Sequence, residues 1–152
     1  MSLRMKALFP AVGMLFLFGF SVVALNRHAR EVKQPLPQTV GDLTAAKSIE
    51  VTDAGGQVVL SGALTFATAR DGDVEGEAKL TPAAHAPGAS GKAEVEVSTG
   101  VGGAKKQELE LEARGLASGA AYGLQVDGRQ AATFNADDRG AAELELSSEP
   151  RK

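Results

Sequence analysis

Apolar and charged residues alternate in short runs from Ser48 almost to the end of this 152-residue chain. In the clearest runs, 92–98, 107–114 and 141–147, every second residue is Ala, Val or Leu, and most of the residues between them are Glu. Successive side chains of a strand point to opposite faces, so this period of two predicts strands with one buried and one solvated face. Such strands are typical of antiparallel sheets.

Turn-forming clusters divide the alternating part into eight or nine predicted strands. Asp127-Gly128 is the strongest hairpin signal, because a type I′ turn needs positive φ at both central residues. Gly62 predicts a bend inside the second run. We expect an all-β fold, an antiparallel β-sandwich of about eight short strands, with an open or closed barrel as the alternative. The runs are 48–53, 57–68, 75–81, 92–98, 107–114, 120–126, 129–135 and 141–147.

Residues 7–25 form a second constraint, because these nineteen residues carry no charge. Arg4 and Lys6 precede them, and Arg27 and Arg30 follow. A membrane-spanning helix needs about 20 apolar residues. A secretory signal has a basic start and a shorter apolar stretch that ends at a cleavage site. The stretch predicts a single N-terminal helix that contacts the lipid bilayer, either as an uncleaved anchor or as a signal cleaved near Val22-Val23-Ala24.

Two positions for the protein follow from these alternatives. An uncleaved anchor leaves the β domain tethered, and we expect that domain on the extracytoplasmic side of a bacterial membrane, in the periplasm or at the cell surface. The basic residues on the two sides of the apolar stretch are nearly balanced, so this orientation relies on the signal-like start of the chain. A cleaved signal predicts a secreted protein.

The domain boundaries follow from composition. Residues 1–33 are predicted to be the membrane segment with its basic flanks. Residues 34–47 contain two prolines and no periodicity, which indicates a linker. Residues 48–148 are predicted to form the β domain and 149–152 a tail. Only three aromatic residues lie beyond the apolar stretch, so we expect a thin core of Ala, Val and Leu.

Charge and composition exclude several functional classes. Five basic residues and one acidic residue precede Gln34, whereas eleven basic and eighteen acidic residues lie from there onward, which sum to the net charge of −3. An acidic domain lacks the positive face that nucleic acids require, so no nucleic-acid partner is expected. The chain has no Cys, which removes disulfides and thiolate metal sites. No nucleophile elbow, phosphate loop or dinucleotide fingerprint is present.

Turn and strand residues near the C-terminus resemble a loose class of bacterial exported β-sandwich domains. The shared pattern is Gly-Leu-x-x-Gly-x-x-Tyr from Gly115 to Tyr122, the Asp127-Gly128 hairpin, and a strand that closes after the turn 137–140. The resemblance covers about residues 115–147. It implies the fold only, because its motifs are mostly turn residues, and it implies no activity or site residues.

Acidic residues are the most prominent candidates for an interaction. They alternate along three predicted strands, and neighbouring strands would gather them into one acidic face. This face is either a docking surface for a basic partner, a weak divalent-cation site, or a solvated surface that keeps sheet edges from aggregating. The glutamates are Glu94, Glu96, Glu108, Glu110, Glu112, Glu143 and Glu145.

The remaining candidates lack the pattern that their chemistry requires. Asp71-Gly72-Asp73 and the turn 137–140 have the composition of calcium turns without the spacing of a loop site. His28 and His85 are far apart, whereas a catalytic base needs an oriented partner. The run 100–106 is predicted to be a flexible hairpin tip. We therefore expect no catalytic, metal or cofactor-binding residues and no cofactor.

Together these patterns predict a non-enzymatic module, membrane-tethered or secreted, for interaction or structure in the bacterial cell envelope. Its expected partners are the bilayer, through residues 7–25, and an envelope protein of unknown identity. The alternative is an exported module that binds calcium or glycan through its Asp/Gly turns. A glycosidase with paired carboxylates would need an aromatic-lined cleft for sugar, and three aromatic residues are too few for it.

Overall fold

A computed structural model describes residues 31–68 and 72–149. Its regular elements are almost all strands, which confirms the predicted all-β class. Two short 3-10 turns, η1 (Gln38–Val40) and η2 (Leu43–Ala45), precede the second strand. The strands are β1 (Val32–Pro35), β2 (Ser48–Asp53), β3 (Val58–Ala63), β4 (Thr65–Thr68), β5 (Val74–Pro82), β6 (Ser90–Thr99), β7 (Lys105–Arg114), β8 (Ala121–Val126), β9 (Arg129–Asn135) and β10 (Ala142–Ser147).

These ten strands form one continuous sheet in the order β1-β10-β7-β6-β5-β3-β2-β8-β9, and β4 pairs with β5 beside this path. All pairs are antiparallel except β1 with β10. The two end strands approach each other, because the Gln34 side-chain amide donates to the Thr133 carbonyl at 2.8 Å. The sheet is therefore nearly closed on itself.

The predicted inward positions form the core. Ile49, Val51 and Leu124 are fully buried, and the inward residues of β6, β7 and β10 are buried with them. Tyr122 and Phe134 stack with ring centroids 5.8 Å apart on neighbouring strands. Alternation thus correctly assigned the buried and solvated faces of β6, β7 and β10, whereas Thr52 of β2 and Ala131 of β9 lie on the outward parity and are also buried.

Residues 34–47 differ from the predicted linker, because they belong to the fold. They contain the end of β1, both 3-10 turns and four buried apolar side chains: Leu36, Val40, Leu43 and Ala46. The Leu43 amide donates to the Gln107 side chain of β7 at 2.7 Å, and Arg129 of β9 donates to the Thr39 carbonyl at 3.3 Å. The segment therefore lies against the starts of β7 and β9.

Strand boundaries differ from the predictions in two further places. The predicted run 57–68 is two strands, because Leu64 leaves the ladder and its amide bonds the Lys47 carbonyl at 2.9 Å. β1 was not predicted as a strand. It lies at the predicted boundary between the membrane segment and the linker, and its four residues are too few to show alternation. The other predicted strands match within about three residues.

Asp127-Gly128 forms the predicted hairpin, with φ of 49° and 75°. The Asp127 side chain also accepts hydrogen bonds from the Lys47 and Ser48 amides, both at 2.9 Å, and so fixes the start of β2. This second role was not predicted, because it joins residues about 80 positions apart in the chain.

The turns 115–119 and 137–140 contact each other and hold the start of β8. The Tyr122 hydroxyl accepts a hydrogen bond from the Ala117 amide at 2.8 Å. Gly140 has φ of 75°, and a Cβ there would lie 2.1 Å from the Leu116 carbonyl oxygen, so only glycine fits. These contacts explain the spacing of the glycines and tyrosine in this part of the sequence.

Within 31–68 and 72–149, no helix is long and apolar enough to cross a membrane. The predicted membrane segment, 7–25, lies outside the described residues, as does the end of the predicted tail.

Candidate interaction surface

The outer face of β5, β6, β7 and β10, extended by Lys33 of β1, carries most of the glutamates singled out in the sequence. We call it the acidic face. The strand register brings all seven predicted glutamates onto this face and adds two from β5. Its charged residues, apart from those at the strand ends, are Lys33, Glu75, Glu77, Lys79, Lys92, Glu94, Glu96, Glu108, Glu110, Glu112, Glu143 and Glu145.

Cross-strand pairing arranges these charges in three rows. The first row is Glu75–Glu96–Glu108, and the central row is Glu77–Glu94–Glu110–Glu145, which ends at Lys33. The mixed row is Lys79–Lys92–Glu112–Glu143. Like charges directly opposite each other on antiparallel strands repel, so the first two rows oppose folding.

Lysines relieve part of this repulsion. Lys33 forms ion pairs with Glu31 and Glu145, and Lys92 pairs with Glu94 at 3.1 Å and with Glu112 at 3.5 Å. Lys106, one position beyond the first row, lies 3.0 Å from Glu108. Five glutamates of the acidic face form no ion pair with any residue of 31–68 or 72–149: Glu75, Glu77, Glu96 and Glu110 in the first and central rows, and Glu143 in the mixed row.

Glu110 lies at the centre of the acidic face. Partial burial raises the pKa of its carboxyl, and the neighbouring charges of Glu94 and Glu145 raise it further. Both causes disfavour the ionised form. This carboxylate therefore gains most from a cation or a hydrogen-bond donor brought by another molecule.

A shallow groove of about 730 Å³ crosses this part of the face. Its wall at one edge is β4, where the Phe66 ring lies over Gly76 of β5. A Cβ at Gly76 would lie 2.4 Å from the ring, so glycine makes room for this aromatic residue. Gly76 lies opposite the buried Val95 of β6, so the Phe66 ring packs against the core at this edge of the sheet. The acidic side chains that line the groove belong to the first and central rows.

Of the two turns predicted as calcium candidates, the turn 137–140 uses its first carboxylate for the backbone. Asp137 accepts hydrogen bonds from the Ala141 and Arg139 amides, both at 2.8 Å, and these bonds lower its pKa. Asp53 binds the Gly55 and Gln57 amides in the same way, both at 2.9 Å. Asp71 lies outside the described residues. Such contacts are the ordinary chemistry of Asx turns.

Two other sequence candidates are placed apart from the acidic face. His85 is exposed in the loop between β5 and β6, and Gly102 and Gly103 form the exposed tip between β6 and β7, as predicted. His28 lies outside the described residues. In the part of the chain that the structure describes, no three His, Asp or Glu side chains are grouped as a metal site.

The sequence did not predict three features of this surface: the position of Lys33 on it, the groove beside β4, and the direct opposition of the glutamates. All three depend on the strand register. A sequence shows which residues share a face, but it does not show which residues lie opposite each other.

No family model, curated protein or solved structure matches the chain in the comparisons made.

Proposed function

We propose that this protein is a non-enzymatic envelope module, membrane-tethered or secreted, whose acidic face docks a basic partner protein. The observation that supports the proposal is the row arrangement. Seven glutamates occupy the first and central rows, opposite one another, and four of the seven lack an ion pair with a described residue.

The energetics favour a functional role for these rows over simple solvation. Each directly opposed like-charged pair costs a few tenths of a kcal/mol to about 1 kcal/mol. A solvated face that only prevents aggregation is served equally well by a mixture of lysine and glutamate, as in the mixed row. A partner that brings Lys or Arg to the face removes the repulsion and gains charge complementarity.

The bilayer is the second proposed partner, through residues 7–25 as an anchor or through a signal segment before cleavage. A tether raises the effective concentration of the module near other membrane proteins. We also propose that the sheet is a sandwich. β5 pairs with β4 and β6 along most of its length and with β3 only through Thr81 and Pro82, which suits a strand shared by two layers.

Affinity capture of the full-length chain from native membranes tests the docking role. Capture is compared at about 0.1 M and about 0.5 M salt, because docking on an exposed charged face weakens as the Debye length falls from about 10 Å. The test variant replaces Glu77, Glu94 and Glu110 by Gln in the central row.

The control variant, Glu50→Gln with Asp138→Asn and Glu149→Gln, changes the net charge equally outside the acidic face. We expect salt-sensitive capture of a basic protein by the wild type and the control, with at least tenfold less capture by the test variant. Equal loss in both variants would indicate a net-charge effect and would overturn the docking proposal.

A calcium- or glycan-binding module is the alternative. Opposed carboxylates supply the oxygen ligands that Ca²⁺ prefers, although Asp137 of the turn 137–140 already accepts two backbone hydrogen bonds. Isothermal titration with Ca²⁺ separates the two sites. If Asp137→Ala abolishes the heat of Ca²⁺ binding, the turn is the site. If the variant with Gln at positions 77, 94 and 110 abolishes it, the acidic face is the site. If the wild type gives no heat of binding, the calcium proposal is wrong.

A further inference from the structure

The position of β1 defines which end of the sheet is nearest to the N-terminal segment. β1 begins at Val32, beside Leu144 near the start of β10. The same end of the sheet carries the loops 83–89, 115–120 and 136–141. We call it the loop end. The opposite end, which carries the tip 100–104 and the Asp127-Gly128 turn, is called the hairpin end.

Only six residues, 26–31, separate the end of the apolar stretch at Leu25 from the first residue of β1. A fully extended chain spans at most about 3.3–3.6 Å per residue, so Val32 lies within about 25 Å of Leu25. If 34–47 were a free linker, as its composition predicted, the reach would be about three times longer. The short connection instead holds one particular end of the sheet near the apolar stretch.

Charge along the acidic face changes in the same direction. The mixed row, with two lysines and two glutamates, is the row nearest the loop end. The central and first rows follow toward the hairpin end, each about 7 Å further along the strands. That spacing is close to the Debye length of about 8 Å at physiological ionic strength. The loops of the loop end carry Asp137, Asp138 and Arg139, and Arg114 ends β7 beside them, so the charges there nearly cancel. An anionic surface at the loop end therefore meets a nearly neutral end of the sheet, and the glutamate rows lie beyond most of its field.

We propose that the loop end faces the surface of an anionic bilayer and that the strands stand away from it, so that the glutamate rows project outward. This inference rests on the proposed uncleaved membrane tether. It names the lipid surface as the neighbour of the loops 83–89, 115–120 and 136–141. It also leaves the acidic face open to a basic partner approaching along the membrane.

The absence of native Cys makes a site-specific depth measurement direct. Ala84 in a loop at the loop end and Ala104 at the hairpin end are both exposed alanines, so Ala84→Cys and Ala104→Cys form a matched pair. β6, which links the two regions, has ten residues and is about 33 Å long. Each variant of the full-length chain is labelled with the same fluorophore in phosphatidylcholine–phosphatidylglycerol vesicles that carry a nitroxide on the headgroup.

We expect at least twofold stronger quenching at position 84 than at position 104. Ala117→Cys, exposed in another loop of the loop end, should resemble position 84. Equal quenching at 84 and 104, as for a sheet lying flat on the surface, or stronger quenching at 104, would overturn the proposed orientation.

A longer connection between the apolar stretch and β1 tests whether the short connection causes the orientation. Twelve Gly/Ser residues inserted between His28 and Ala29 should bring the quenching ratio close to 1 while the chain still floats with the vesicles. An unchanged ratio would refute the short connection as the cause. Failure of the wild-type chain to float with vesicles would contradict the tether itself, and this result is distinct from flotation with equal quenching.

Discussion

The two faces of β5, β6, β7 and β10 share one strand register and have opposite energetic consequences. Inside, the register places Ala78, Ala93, Leu111 and Leu144 side by side, and all four are buried. The neighbouring row, one residue along each strand, points to the outer face. It consists of four glutamates and is the central row of the acidic face. The inner row stabilises the sheet by removing apolar surface from water, whereas the outer row repels.

This contrast shows that burial of the core determines the strand register, and that the glutamates of the acidic face lie opposite one another as a consequence. A slip of one residue would turn the apolar side chains outward, so burial fixes the pairing strongly. The repulsion among glutamates is smaller than the gain from burial and is tolerated. A face that opposes folding is also the face on which substitutions can stabilise the protein.

The largest effect is expected inside. Leu111→Ala removes a side chain that is 1% exposed at the centre of the inner row. Such a truncation loses the transfer free energy and leaves a cavity, so we expect a loss of about 2–5 kcal/mol in the free energy of unfolding. Urea denaturation measures it, with Val101→Ala at an exposed tip as the control. A loss below about 0.5 kcal/mol would contradict this description of the core.

Leu43→Ala tests whether segment 34–47 belongs to the core. Leu43 is fully buried, so we expect a loss of about 2–3 kcal/mol; the value falls in the lower half of the usual range because a 3-10 turn can partly fill the space. A residue of a free linker would change stability by less than about 0.5 kcal/mol. The same urea titration distinguishes the two, and the smaller value would restore the linker prediction.

Glu110→Gln is expected to stabilise the protein. Removing the central charge relieves its repulsion with Glu94 and Glu145, which should add about 0.2–1 kcal/mol at pH 7. The pKa of Glu110 is raised in the folded state, so the penalty is present above that pKa and disappears as the pH falls below the ordinary value of 4.5. Urea midpoints at pH 7 and pH 4 check both statements. Glu50→Gln, outside the acidic face, is the control; equal gains in both variants would contradict the role of the rows.

Asp42→Asn is expected to have the smallest effect and the opposite pH dependence. The hydrogen bond and ion pair with Lys105, at 2.9 Å, together with the bonds from Thr44, lower the pKa of Asp42 to about 2. Its stabilisation is therefore present above 3.8 and is lost as the pH falls toward 2. The pair is exposed, so we expect a loss of at most about 1 kcal/mol at pH 7 and none at pH 2 in matched thermal melts. A loss that persists at pH 2 would assign the effect to packing.

The inward and outward positions of the described strands were predictable because alternation is a local property of a strand. Asp127-Gly128 was predictable for the same reason, since the turn depends on the φ preferences of two adjacent residues. The acidic face was predicted in composition from Glu94, Glu108, Glu143 and their neighbours. Its rows were not, because the opposed glutamates lie far apart in sequence, as Glu110 and Glu145 do.

Segment 34–47 shows most clearly where local reasoning stops. Pro35 and Pro37 correctly indicate an extended chain around them, yet they show neither the two 3-10 turns that follow nor what covers the segment. Leu36 and Leu43 are buried where their amides bond distant strands, at Ser147 of β10 and Gln107 of β7. A nonlocal contact of this kind leaves no periodic signal in the sequence.

Local side-chain pattern therefore settled the all-β class, the buried face of each strand and the hairpin at residue 127. Tertiary pairing alone decided the strand order, the alignment of the glutamates and the inclusion of 34–47 in the core. The physical reason is that alternation and turn preferences act between adjacent residues, whereas register minimises the exposed apolar area of the whole sheet at once.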